Sequence, residues 1–129
     1  MGIKIRIKGQ YNSVTRWYKM NTFDKYLLKK DNLIRRRIEI DNTLFEQLEK
    51  LAKVYDASIN KLVNVAIIEM IKTENVDVYE KSENEIVEAH NFGIRETSYN
   101  KLEELKVKYG LSIFKLINIA IYNALNSEE

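Results

Sequence analysis

Residues 3–8, IKIRIK, alternate strictly, so Ile3, Ile5 and Ile7 share one face of an expected strand and Lys4, Arg6 and Lys8 the other. A turn-like GQYN and a second β-like run, VTRWYKM, predict a hairpin over about 3–19. NTFDKYLLKKD then suits a short helix, with Thr22 as cap, Asp24 in the first turn and Lys29 and Lys30 in the last. Alternation returns in RRRIEI, residues 35–40, with Ile38 and Ile40 on one side and Arg37 and Glu39 on the other. From DNTLF onward the period changes. Leu44, Leu48, Leu51, Ala52 and Tyr55 recur every three or four positions, the mark of an amphipathic helix. Asp41, Asn42 or Thr43 caps it, and Glu46 is placed to close a capping box on Thr43. After a tight joint at Asp56-Ala57, Ser58 caps a helix over 59–72. Its Ile59, Leu62, Val63, Ala66, Ile67, Met70 and Ile71 form a face too broad for a lone surface helix.

Residues 73–88 are acidic and weakly patterned, and are expected to form a linker with a helical piece near 82–88. Then the pattern restarts. Asn91-Phe92-Gly93-Ile94 is strand-like, with Ala89 at its start. Thr97 or Ser98 caps a helix over 99–109 with Leu102, Leu105 and Tyr109 inward, and Gly110 ends it. Ser112 caps a last helix over 113–126. A constant offset of 54 aligns 38–74 with 92–128 without a gap, and 14 of the 37 positions are identical. They include Thr43/Thr97, Tyr55/Tyr109, Ser58/Ser112, Lys61/Lys115 and Asn64/Asn118, which two unrelated amphipathic helix pairs would not share. A strand-helix-helix unit of this size cannot bury its apolar faces alone, and a lone strand has unpaired backbone. Two copies solve both problems if their strands pair antiparallel and their four helices pack on one core. Asn64 and Asn118, polar in apolar surroundings, either pair across the axis relating the copies or sit on an exposed face.

Composition narrows the class. The chain has 129 residues, 45% hydrophobic, with no proline, four glycines and no cysteine. It is long enough for a packed core and leans towards helix. Disulfides, thiolate metal sites and cysteine nucleophiles are excluded, which fits a reducing cytoplasm. No apolar run reaches the roughly 18 residues of a membrane span. His90 is the single histidine, and no nucleophile–base pair or phosphate loop is present, so no enzyme, metal or cofactor is expected. The net charge of +2 conceals an asymmetry. Residues 1–37 hold eleven Lys/Arg against two Asp, and residues 38–129 hold ten against seventeen Asp/Glu. A basic, aromatic front on an acidic body suggests a polyanion-binding surface near the front.

RRRIEIDNTLFEQLEKLAKVYDASINKLVNVAI closely resembles the ribbon-helix-helix (Arc/MetJ-type) DNA-binding family: a basic alternating strand, a capped helix, a short turn and a Ser-capped second helix. NFGIRETSYNKLEELKVKYGLSIFKLINIAI resembles it well in the helices and less in the strand. The likeness covers about 36–126, and the tandem form resembles relaxosome accessory proteins of conjugative plasmids. It implies a mainly α fold with a small antiparallel β-ribbon, an intramolecular pseudo-dimer, and double-stranded DNA as partner. The family's ribbon enters the major groove, so Arg35, Arg37 and Glu39 of the first copy and Asn91 of the second would face base edges. Gly93 and Ala89 offer almost nothing to a base, so the site read would be asymmetric, with the first strand making most contacts. The second helices' N-termini would hold flanking phosphates, at Ser58 and Lys61 and at Ser112 and Lys115.

The expected organisation is a basic aromatic extension (1–34), a first repeat (35–72), the acidic linker (73–88) and a second repeat (89–129). In the extension, Lys4, Arg6, Lys8 and Arg16 add phosphate contacts on one reading; a partner-docking element or aromatics packed on the body are the others. The functional expectation is a cytoplasmic, sequence-specific DNA binder of a prokaryotic, archaeal or viral host cell, acting as a transcriptional repressor. A plasmid or phage accessory role in relaxosome assembly or partition stays open beside it, with self-association on adjacent sites. An antitoxin is disfavoured, because such proteins carry a toxin-binding tail after the second helix and this sequence stops at Glu129. No small-molecule ligand is evident.

Overall fold

The computed structural model describes residues 32–127, all within one compact unit of the chain. The hairpin expected over 3–19 and the short helix expected after Thr22 lie outside the described residues. In chain order the elements are β1 (Leu33–Asp41), α1 (Asn42–Tyr55), α2 (Ile59–Thr73), β2 (Val87–Arg95), α3 (Glu96–Tyr109) and α4 (Ile113–Leu125). They make a small α/β fold of four helices and one two-stranded antiparallel sheet. Among the described residues no helix is long and apolar enough to cross a membrane.

The strands pair from Leu33↔Arg95 to Asp41↔Val87, with Arg37 opposite Asn91 at the centre. Arg37 and Asn91 occupy equivalent places in the two repeats, 54 residues apart. The other pairs are therefore disposed symmetrically about them: Arg35 faces Gly93, and Glu39 faces Ala89. Strand alternation sends Ile38, Ile40, Phe92 and Ile94 inward, all buried. They join Leu44 and Leu48 of α1, Val63, Ala66, Ile67 and Met70 of α2, Leu102 and Leu105 of α3, and Leu116, Ile117, Ile119 and Ile121 of α4. Each fully buried Leu or Ile contributes about 1.5–3 kcal/mol relative to exposure. This shared core holds the two repeats together.

Cross-repeat contacts frame the core. The first amide of α1, on Asn42, donates to the Ile86 carbonyl (2.7 Å), and the first amide of α3, on Glu96, donates to the Asn32 carbonyl (2.8 Å). On the inner face, Arg36 sits 5.0 Å over the Tyr99 ring. Its equivalent His90 stacks on Phe45 at 3.8 Å and 4°. At the helix joints, Asp56 (φ 52°) and Gly110 (φ 66°) take the same left-handed conformation at equivalent positions. Gly110 is thus the expected C-cap.

Several expectations are corrected. No helical piece forms near 82–88. Glu83 and Asn84 make a turn, and Val87 already belongs to β2, which is longer than the expected 91–94. Pairing with Ile40 and Asp41 of β1 outweighs helix nucleation in so short a segment. The capping box of Thr43 with Glu46 is absent: the Thr43 amide (3.1 Å) and hydroxyl (2.7 Å) both donate to Glu85 of the linker, and Glu46 instead accepts from the Asn42 side chain (3.2 Å). Asp41 is the N-cap residue, but its side chain makes no cap bond. The third helix starts at Glu96 rather than 99, with Arg95 at the N-cap, and neither Thr97 nor Ser98 is the cap residue. Ser98 lies buried in the first turn. Tyr55 is 67% exposed, not inward, because its turn projects beyond the core. Tyr109 is also partly exposed, and its hydroxyl donates to Glu74 (2.7 Å).

Candidate nucleic-acid interface

The ribbon face turned away from the core carries Arg35, Arg37 and Glu39 from β1, and Ala89, Asn91 and Gly93 from β2. Arg35, Arg37, Glu39 and Asn91, the four expected base-reading residues, are all exposed on this face. Among the described residues, no hydrogen bond or ion pair engages their side chains, so their donors and acceptors are available. From 35 to 39 these positions span about 13 Å at 3.3 Å per residue. That is close to four base-pair steps of about 3.4 Å. Arg95, which sequence reasoning did not single out, is exposed at one end of the same row, opposite Leu33. Its signal was strand parity with Asn91 and Gly93.

Gly93 is buried although it belongs to this face. A Cβ there would lie 3.4 Å from Leu33 Cδ1 and 3.6 Å from an Arg35 guanidinium nitrogen, so these side chains lean over the space that glycine leaves.

The outer backbone edges of the ribbon are clamped by asparagines. Asn64 of α2 donates to the Gly93 carbonyl (2.8 Å) and accepts from the Arg95 amide (3.1 Å). Asn118 of α4, its equivalent, donates to the Glu39 carbonyl (2.8 Å) and accepts from the Asp41 amide (2.8 Å). This corrects the expectation that the two asparagines pair with each other or sit on an exposed face. Each is buried and satisfies the strand of the other repeat, covering edge groups that a two-stranded ribbon otherwise leaves open. On the α2 side Asn60 adds a second clamp, accepting from the Gly93 amide (2.8 Å) and donating to its carbonyl (3.0 Å). Phe114 stands at the equivalent position in α4 and offers no such bond.

These clamps bring the N-terminus of α2 to the β2 edge and that of α4 to the β1 edge. Ser58 caps α2 by accepting from the Lys61 amide (3.1 Å), and Ser112 caps α4 by accepting from the Lys115 amide (3.1 Å). Both serines fill the expected cap positions, and Lys61 and Lys115 are exposed beside them. A free helix N-terminus with a neighbouring ammonium is attractive to an anion. A cavity of about 250 Å³ lies at the α4 end, lined by Ser112, Phe114, Lys115 and Glu39 with Tyr79 and Lys81 of the linker. Lys4, Arg6, Lys8 and Arg16 lie outside the described residues.

The linker packs as more than a tether. Asp41, only 2% exposed, accepts from the Tyr79 hydroxyl and from the Lys81 ammonium (3.3 Å). Tyr79 also stacks on Tyr122 at 4.4 Å. Burial first, then the bond to Asp41, pushes the Tyr79 phenol far above its ordinary range, so it stays a donor. The hydrogen bond from Thr43 holds the Glu85 carboxyl below its usual value. Hydrogen bonds from Lys108 and then Tyr109 do the same for Glu74, and Lys108 is raised in return. Lys108 reaches Glu74 at 2.8 Å, tying α3 to the end of α2. Comparison of the chain with protein-family models, with curated proteins and with solved structures returned no match.

Proposed function

We propose that the chain is a sequence-specific double-stranded DNA-binding protein built as a tandem ribbon-helix-helix pseudo-dimer. The observation that carries this reading is the outer face of the ribbon. Arg35, Arg37, Glu39 and Asn91 stand exposed there without partners among the described residues, on strands whose edges are fixed by Asn64 and Asn118. The major groove, about 12 Å wide, admits a two-stranded ribbon. Strand pairs about 4.8 Å apart fit within that width. An arginine fork grips guanine O6 and N7, asparagine matches adenine N6 and N7, and glutamate accepts from cytosine N4. On this reading the N-termini of α2 and α4, one at each ribbon edge, take the phosphates that flank the groove. Their amides, with Lys61 and Lys115, anchor the backbone and set the register of the ribbon.

The position of the bound site gives the biological role: overlap with a promoter makes the protein a repressor, and a place at a transfer or partition locus makes it an accessory factor. The test is selection of bound duplexes from a random pool at about 0.15 M salt, the physiological range. A defined consensus is expected, and recovery without preference refutes the reading. Replacing both Arg35→Ala and Arg37→Ala is expected to lower affinity for the consensus by roughly 25- to 20,000-fold, at 1–3 kcal/mol for each bidentate contact. Unchanged affinity removes the ribbon from the interface.

A further inference from the structure

A chain with two identical repeats would carry Arg35 opposite a glutamate and Glu39 opposite an arginine, because Gly93 is the equivalent of Glu39 and Ala89 the equivalent of Arg35. Directly opposed charges of that kind engage each other across the strands. Here each end of the ribbon has lost one member of the pair. Arg35 faces Gly93, and Glu39 faces Ala89. Both charged side chains are left without a partner among the described residues, and they stand at opposite ends. The asymmetry thus runs along the ribbon as well as between its strands.

The surroundings of the two ends follow the same polarity. At the Arg35 end lie the exposed Arg95 and the N-terminus of α2, with Lys61 beside it and Asn60 holding Gly93. At the Glu39 end, the glutamate borders the N-terminus of α4, with Phe114 where Asn60 would be. An anion meets concentrated positive charge at the first end. At the second, Lys115 and Lys81 stand beside the Glu39 carboxylate, which repels phosphate and offsets part of their charge.

Building on the DNA-binding function proposed above, we propose that the ribbon docks in one direction on a non-palindromic duplex, with divided labour between its ends. The Arg35 end supplies most of the affinity, over a guanine-bearing half-site. The Glu39 end supplies discrimination: a carboxylate in the groove is favourable where a cytosine amino group donates to it and unfavourable against acceptor edges. Asn91 at the centre reads adenine beside Arg37.

The experiment is duplex selection with the full-length wild-type chain, followed by Glu39→Gln and Arg35→Ala on the recovered site and on its single-base variants. A consensus without two-fold symmetry is expected, with guanine under one end and a fixed cytosine under the other. E39Q is expected to bind unrelated duplex at least as tightly as wild type, while discrimination at that one base pair falls by about 5- to 150-fold. R35A is expected to lose affinity with discrimination at the cytosine unchanged. A palindromic consensus overturns the directional model but leaves sequence-specific DNA binding standing, whereas no consensus overturns both. E39Q that loses affinity without relaxing that position also overturns it. The symmetrised variant Ala89→Arg with Gly93→Glu gives an independent arm. A Cβ at Gly93 meets nothing closer than 3.4 Å, and this variant is expected to shift selection towards a palindrome. Retention of the wild-type consensus refutes the assignment of the two ends.

Discussion

Asn118→Ala tests the edge clamp, and the two clamps are unequal in a way that fixes the expected order of effects. Asn118 is 8% exposed and makes three bonds of 2.8 Å: from the Asp41 amide, and to the Glu39 and Phe114 carbonyls. Loss of the Phe114 bond costs little, because that carbonyl also has the helical amide of Asn118. The Asp41 amide is different. Its residue is 2% exposed, so truncation strands a buried donor at a cost of about 1–3 kcal/mol. Glu39 is exposed and its carbonyl can turn to water, leaving a net loss of about 0.5–1.5 kcal/mol. Asn118→Ala is therefore expected to destabilise by roughly 2–4 kcal/mol. Asn64→Ala removes the equivalent bonds, but Asn60 still donates to the Gly93 carbonyl at 3.0 Å and Arg95 is exposed. Its cost should be nearer 1 kcal/mol. Equilibrium urea unfolding followed by circular dichroism measures both. With a slope of about 1–3 kcal/mol per molar urea, Asn118→Ala should lower the midpoint by roughly 0.7–4 M. The clamp argument fails if Asn118→Ala lies within about 0.5 kcal/mol of wild type, the spread of ordinary surface substitutions. It also fails if Asn64→Ala costs as much.

Two further outcomes are expected. Glu85 and Glu74 have folded-state pKa values below the ordinary 4.5; such groups contribute stability that is full above 4.5 and lost as pH falls through their folded values. The urea midpoint should thus drop on acidification below 4.5, and Glu85→Gln with Glu74→Gln should flatten that drop; an unchanged acid limb refutes their part in it. Lys61→Gln and Lys115→Gln should each reduce the log–log salt dependence of DNA affinity by about 0.9 without changing the consensus, and an unaltered slope removes that helix end from the phosphate contacts.

The strands and helices were legible because their periods are clean. Ile38 and Ile40, and Phe92 and Ile94, mark a buried strand face, and Ser58 and Ser112 mark helix starts that the structure retains. The misread polar contacts share a cause: their partners are distant in sequence. Local rules give Thr43 the acid three residues on, yet the acid that accepts from it is Glu85, 42 residues away. A polar residue in the apolar run of α4 left two roles open for Asn118, pairing across the axis or facing solvent, and neither is the one it has. Its partner, the Asp41 amide 77 residues away, has no side-chain signature. Tyr55 keeps the helical period but sits in a last turn beyond the core, where periodicity no longer reports burial. On the outer face, alternation alone placed Arg35, Arg37, Glu39 and Asn91. Which of them oppose each other depends on register, and that emerged only with both strands paired.

The way the repeats hold each other also explains how their helices agree while their strands differ. Asn64 of the first repeat binds the backbone of β2, and Asn118 of the second binds the backbone of β1. Arg36 and His90 likewise cross to an aromatic ring of the other repeat. Asn64 and Asn118 use main-chain groups at 39, 41, 93 and 95, which any residue but proline provides. Outer-face side chains are therefore free to differ, as they do at 35 and 89, 37 and 91, and 39 and 93, with no loss to the clamps. The buried apolar positions are held more tightly, because their side chains fill the shared core. If the ribbon binds DNA as proposed, a substitution on the outer face should change what it recognises and leave stability almost untouched. A substitution at a clamp should loosen the strand of the opposite repeat, and with it the recognition that strand supports.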